Sequence, residues 1–267
     1  MSADLRPNPS YHSSRCDCAR SWVERRMLSR WSRLADRAGT GELATLRRLR
    51  KRARALQQRV DRFLHVADGR LAVPMGHEAG IQKPLHTDWA WRPGFWSGPV
   101  RPYGAVAVAA STSLGGDTTL FHDCTCSEVT IRQTQNTGAK ALAPYGARID
   151  VFAFEGSYLS IVVELPADAA DGLTKGHIIR MDARILSERP LEFFARLNVQ
   201  HGPNTEQIVR EVPPGGHEHV VEFDLAYSQI RERHLGRAWV DLIFDRPAFN
   251  EIRIEDIAFT RRPRAML

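Results

Sequence analysis

The sequence predicts a mainly β chain: an antiparallel, jelly-roll-like β-sandwich preceded by a basic helical arm. Three observations carry this. Apolar residues recur every three to four positions up to about residue 66 and every second position after it. The later alternating runs are short and separated by turn chemistry. The basic residues are also segregated: residues 20–62 hold 14 Arg/Lys against 4 Asp/Glu, and residues 63–267 hold 21 against 25.

The segregation gives the domain plan: a flexible N-terminus over 1–18, a two-helix arm over 19–66, an aromatic, Pro- and Gly-rich linker packed on the body over 67–104, and a β-sandwich over 105–267. In the arm, Trp22/Val23, Met27, Trp31, Leu34 and Ala38 share one helical face, and Gly39-Thr40-Gly41 breaks it. The second helix carries Leu46, Leu49, Ala53, Leu56, Val60 and Phe63 in a heptad stripe, backed by Arg47, Arg48, Arg50, Lys51, Arg52, Arg54 and Arg59. Such a helix packs its stripe on a neighbour, pairs with a second copy as a homo-oligomer, or lies against an anionic surface or acidic protein. No DNA- or RNA-binding motif accompanies the charge, so sequence-specific nucleic-acid binding is not expected.

Residues 87–103 concentrate Trp89, Trp91, Phe95, Trp96 and Tyr103 among Pro93, Pro99 and Pro102, which bars a central strand and predicts a loop or edge segment tucked under the core. Strands are then predicted at 105–110, 128–133, 149–154 and 158–165, the last two as a hairpin about Glu155-Gly156-Ser157. Residues 178–185 alternate Ile179, Met181, Ala183 and Ile185 with Arg180, Asp182 and Arg184. Residues 191–199, 219–225, 237–244 and 252–259 complete the series. No amphipathic helix intervenes after residue 66, which excludes a βαβ fold.

The composition is that of an ordinary folded chain. Of 267 residues 43% are hydrophobic, with 19 Gly and 15 Pro, which excludes collagen, a disordered tail protein and a disulfide mini-scaffold. No run is long and apolar enough for a membrane span, and Met1–Ser21 lacks an apolar signal core. The expectation is a cytoplasmic protein, or one peripheral on the cytoplasmic side of a membrane.

Catalytic signals are sparse. There is no GxSxG, P-loop or GxGxxG. Glu255 and Asp256 are adjacent in a strand, so alternation sends them to opposite faces. Cys16, Cys18, Cys124 and Cys126 form two CxC pairs with His12 and His122 nearby. Zinc ligation is one reading and inert cysteines the other; no metal or cofactor is assigned. His86-Thr-Asp88-Trp89 resembles the first half of the iron motif of phytanoyl-type 2-oxoglutarate dioxygenases. On a strand, His86 and Asp88 share a side, with His177 or His219 as a third ligand. The distal His-and-Arg segment of that family has no counterpart.

The strongest candidate site is a binding surface. Arg196, Asn198 and Gln200 lie opposite the apolar set of their strand, the following turn presents His201, Asn204 and Glu206, and Trp239 shares a face with Asp241. Planar polar groups hydrogen-bond sugar hydroxyls, and an indole stacks on a pyranose ring. The competing reading is a structural turn with Trp239 in the core.

The runs Phe121-His-Asp-Cys124, Ala195–Asn204, Phe223-Asp-Leu-Ala-Tyr227, Trp239–Phe244 and Arg261-Arg-Pro-Arg-Ala265 resemble an uncharacterised bacterial family of unknown function, over about 87–265. The C-terminal half, with Ile252-Arg-Ile-Glu-Asp256-Ile257, is similar to carbohydrate-binding-module sandwiches. The function expected is a non-catalytic glycan-binding module whose arm anchors or oligomerises it. The alternatives are a structural or assembly protein, phage-like or of the envelope, docking an acidic partner, and an iron oxygenase using His86 and Asp88.

Overall fold

The computed structural model describes residues 13–72, 80–138 and 141–264, with side chains from residue 22 onward. Most of the N-terminus expected to be flexible lies outside the described residues. The chain divides into two compact units, Met1–Asp61 and Arg62–Leu267.

The first unit holds α1 (Ser13–Asp36) and the beginning of α2 (Leu43–Ala72). The Glu42 carboxylate accepts the Thr45 hydroxyl at 3.1 Å, and its carbonyl accepts the Leu46 N–H. Leu46, Leu49, Ala53 and Leu56 of α2 are half-buried, as are Trp31 and Leu34 of α1. The rest of the expected α1 face stays exposed: Trp22, Val23 and Met27 are 55%, 57% and 47% accessible. Two helices can bury only one stripe each.

The second unit is mainly β. It comprises β1 (Trp89–Trp91), the single turn α3 (Gly94–Ser97), β2 (Gly104–Ala105), β3 (Ser111–Ser113), β4 (Thr118–His122), β5 (Val129–Gln135), β6 (Tyr145–Val151) and β7 (Leu159–Glu164). Then follow β8 (His177–Ser187), β9 (Phe193–His201), β10 (Asn204–Val212), β11 (Glu218–Asp224), β12 (Leu235–Phe244) and β13 (Asn250–Pro263). Two antiparallel sheets form. The first has the order β11-β8-β13-β6-β5-β2, with β1 also on β13; the second has the order β10-β9-β12-β7-β4-β3. The described structure is thus an antiparallel sandwich with an N-terminal helical arm, and successive strands cross repeatedly between its sheets as in a jelly roll.

The core lies between the inner faces. Ile179, Met181, Ala183 and Ile185 of β8 and Phe193, Ala195, Leu197 and Val199 of β9 are buried, as alternation requires. The aromatic segment before β2 is part of this core: Phe95 and Trp96 are 1% and 0% exposed, and β1 pairs with Phe259–Arg261 of β13. The end of α2 that belongs to this unit is fitted closely to the same segment. His65 Nδ1 bonds the Pro99 carbonyl at 3.1 Å, and a Cβ on Gly69 would lie 2.1 Å from the Ser97 carbonyl oxygen.

Three expectations are corrected. Residues 105–110 form no strand beyond Ala105. The pair about Glu155-Gly156-Ser157 is not a hairpin, because β6 and β7 lie in different sheets. Their connection is an arch, pinned by Asp123, whose carboxylate accepts the Ser157 hydroxyl and the backbone N–H groups of Ser157 (2.8 Å) and Tyr158 (3.2 Å). The turn after His201 is shorter than expected: Asn204 and Glu206 lie not in it but on β10, which returns along β9.

The Ser157 hydroxyl, and after it the backbone donors, hold the Asp123 carboxyl below its ordinary value of 3.8. A depressed carboxylate pKa stabilises the fold above its unfolded value, and the contribution is lost as pH falls through the folded one. The Asp123→Asn protein is therefore expected to lose part of the wild-type acid dependence. Denaturation midpoints compared between about pH 5 and pH 2 measure this, and parallel profiles would contradict it.

Candidate functional site

The outer face of the second sheet is built in cross-strand rows. One row runs Gln207–Asn198–Trp239–Glu164 across β10, β9, β12 and β7. The next runs Val209–Arg196–Asp241–Val162 and continues to Thr119 and Ser113. Arg196, Asn198, Trp239 and Asp241 are therefore neighbours, as paired residues on one face must be.

Asp241 organises them. Its Oδ2 accepts from Arg196 Nε at 2.8 Å and from Asn198 Nδ2 at 3.1 Å, with Arg196 Nη2 in ion-pair contact at 2.6 Å. Although they sit on the outer face, Asn198 and Asp241 are only 1% and 3% exposed. Asn198 Oδ1 is buried with no hydrogen-bond partner. Trp239 is half-buried, and the Arg237 guanidinium stands 5.7 Å from its ring centroid while bonding Glu164. Gln200 is half-exposed on the same face.

Two predicted members fall elsewhere. His201 is not presented by a turn: it ends β9 with the parity of the core residues, paired with Asn204 and Leu235, and is 5% exposed. Asn204 is exposed at the start of β10, away from the Asp241 cluster in the register. Glu206, also expected in that turn, accepts the Gln229 N–H at 2.9 Å.

The metal readings meet specific geometry. His86 lies in a turn at φ 65°, so the strand relation assumed for His86 and Asp88 is absent. Asp88 is held by Arg261 at 3.1 Å and faces His177 Nε2 at 3.4 Å. Both ring nitrogens of His122 serve the backbone: Nε2 bonds the Val108 carbonyl and Nδ1 accepts the Cys124 N–H. Cys124 is buried and Cys126 exposed, both free; the side chains of Cys16 and Cys18 lie outside the described residues. Among the described residues no three His, Cys, Asp or Glu side chains come together as a metal cluster.

A second region was missed at the level of sequence. The register of β13 on β8 shifts between Ile254 and Asp256, a β-bulge. Ile254 and Ile257 both remain in the core, so Glu255 and Asp256 both reach the outer face of the first sheet. The expectation of opposite faces fails there. The bulge opens into a cleft of about 480 Å³, lined by Gln82, Arg92, Asn136, Arg184, Glu255 and Asp256 among others. Arg92 grips Asp256 with two bonds of 2.8 and 2.9 Å, both side chains nearly buried. Burial pushes the Asp256 carboxyl above its ordinary value against the pull of Arg92.

With this geometry in view, the chain can be placed among known proteins. Residues 12–267 match DUF6478, a family of unknown function. The chain belongs to this family. No curated protein is similar to this DUF6478 chain in sequence. Among solved structures it is similar to the enzymatically active domain of bacteriophage CBA120 tailspike protein 4, at 10% identity and TM-score 0.38, covering 57% of this chain and 21% of that one. The match thus spans about a fifth of the tailspike chain. A family 11 carbohydrate-binding module from Clostridium thermocellum, solved with a mixed-linked tetrasaccharide, gives 13% identity and TM-score 0.35 over 57% of this chain and 96% of that one. A xylan-binding family 22 domain gives 10% and 0.36 over 61% and 99%.

Removing one partner of a buried ion pair leaves the other charge uncompensated. Arg92→Ala is therefore expected to destabilise the DUF6478 chain by about 3–5 kcal/mol, and the double variant Arg92→Met/Asp256→Leu to recover most of it. Chemical denaturation measures both; a single variant as stable as wild type contradicts the account.

Proposed function

We propose that this protein is a non-catalytic binding module that takes a glycan on the outer face of its second sheet. The observation that carries the reading is the half-buried Trp239 indole set against the Arg196–Asp241–Asn198 cluster. A sugar ring has a C–H face that stacks on an indole and an equatorial rim of hydroxyls that pair with fixed, planar donors and acceptors. Gln200, Gln207 and Glu164 extend that polar rim along the rows.

The arm supplies a separate contact. Residues 22–61 carry 12 Arg/Lys against 4 Asp/Glu, and Trp22, Val23, Met27 and Leu28 are exposed beside them. This chemistry favours an anionic surface or acidic partner, and supports a reading with anchoring in the arm and recognition in the sandwich.

A glycan array followed by affinity electrophoresis in soluble polysaccharide tests the reading. Trp239→Ala and Asn198→Ala are expected to weaken retardation about tenfold while leaving salt-sensitive retention on heparin-agarose unchanged. An array without a hit, or retardation indifferent to both variants, would overturn the glycan assignment.

A further inference from the structure

The cleft over the β13 bulge has the attributes of a built site. Its volume falls in the range of small-molecule pockets, roughly 300–1,000 Å³. Its floor is the middle of the first sheet, where Arg180, Asp182 and Arg184 of β8 meet Glu255, Asp256 and Ala258 of β13. One wall carries Asn136, Ala141 and Leu142, and Asn136 Nδ2 donates to the Ala143 carbonyl (2.9 Å) and the Glu255 carbonyl (2.8 Å). A recess of about 330 Å³ adjoins it, sharing Asn136, Ala141, Arg184 and Glu255, and Gly146 lines that recess. Gly146 is tightly fitted there: a Cβ would stand 3.0 Å from both Asn136 Oδ1 and the Ile254 carbonyl oxygen, so one of these neighbours would have to give by a few tenths of an ångström.

The charges decide which ligand fits. Arg92 is saturated by Asp256, and Arg180 by Asp182 through a two-nitrogen grip. Arg184 is not saturated. Its Nε lies 2.9 Å from Glu255 Oε2, yet it is buried without a hydrogen bond, so the approach angle is poor. No bond is made by its Nη groups among the described residues. Among the described residues the groups left over are thus the Arg184 fork and the Gln82 amide as donors, and Glu255, Glu218 and Asn136 Oδ1 as acceptors. Leu142 and Val220, 36% and 56% exposed, add apolar wall. A strong anion meets Glu255 and Glu218, and a strong cation meets Arg184. A molecule that offers donors and acceptors in turn, without net charge, satisfies both sets.

We infer that this cleft is a second binding site, for a neutral polyhydroxylated ligand of mono- to disaccharide size, gripped by Arg184 and Glu255 where the bulge brings them together. The assignment is independent of the Trp239 face, which lies on the other sheet.

Isothermal titration of the full chain with cellobiose, maltose and xylobiose, and with glycine and sulfate as zwitterionic and anionic probes, tests it. At least one disaccharide is expected to bind the wild-type and Trp239→Ala proteins alike. Arg184→Ala and Glu255→Gln are each expected to weaken it about tenfold, with glycine and sulfate silent. Arg184→Lys, which keeps the charge and loses the fork, is expected to resemble Arg184→Ala; circular dichroism checks that each variant folds, and Glu255→Gln carries the test where an arginine variant does not. The site is overturned if none of the disaccharides binds, if binding survives both Arg184→Ala and Glu255→Gln, if Trp239→Ala abolishes it, or if glycine or sulfate binds in their place. Loss in Trp239→Ala alone would leave the glycan reading of the second sheet standing.

Discussion

The first sheet depends on how the midpoint of β13 is satisfied. This fourteen-residue strand pairs with β8 along one edge, but its other edge is shared by β6 up to Ile254 and by β1 from Phe259. Between them the backbone has no neighbouring strand among the described residues, and buried carbonyls there need donors. Side chains provide them: Trp96 Nε1 bonds the Ile254 carbonyl at 2.9 Å, and Asn136 Nδ2 bonds the Glu255 carbonyl at 2.8 Å. Arg92 reaches the same place to neutralise Asp256. The aromatic segment ahead of β2 is thus an internal plug for a gap in the sheet, which explains why so many of its large side chains are buried.

The sandwich presents two outer faces of different character. On the second sheet a single carboxylate oxygen, Asp241 Oδ2, holds Arg196 and Asn198 together through two hydrogen bonds and an ion pair, beside an indole. On the first sheet ion pairs run along single strands, as Arg148–Asp150 and Arg180–Asp182, and between strands, as Arg148–Glu251, and at the bulge Arg184 is left underused. The formal charge of +6 describes neither face. It is the sum of a strongly basic arm and a slightly acidic body, so the electrostatics of the arm are separate from the chemistry of the sandwich.

Alternation made the architecture legible where one strand face is buried and the other wet. β8, β9, β11 and β12 could be read directly, and with them the sharing of one face by Arg196 and Asn198 and of another by Trp239 and Asp241. β10 was hidden because it is an edge strand: most of Asn204–Val212 is exposed on both faces, so burial imposes no period. Glu155-Gly156-Ser157 marks a change of direction but carries no sign that the chain crosses to the other sheet. The bulge at Glu255 adds a residue without altering the apolar pattern enough to be noticed, and the cleft went unseen with it. His201 illustrates the opposite error, since turn chemistry at Gly202 drew attention to a residue that closes the core.

The central claim is that the Trp239 indole is the contact surface for sugar. Nitrogen-15 NMR of the indole N–H groups tests it most directly, because the six tryptophans report from separate places. On titration with an oligosaccharide mixture, the account predicts a saturable shift of the Trp239 resonance while that of Trp96, bonded to the Ile254 carbonyl inside the core, stays fixed. A Trp239 resonance that does not move, or shifts confined to Trp22 and Trp31 of the arm, would contradict it.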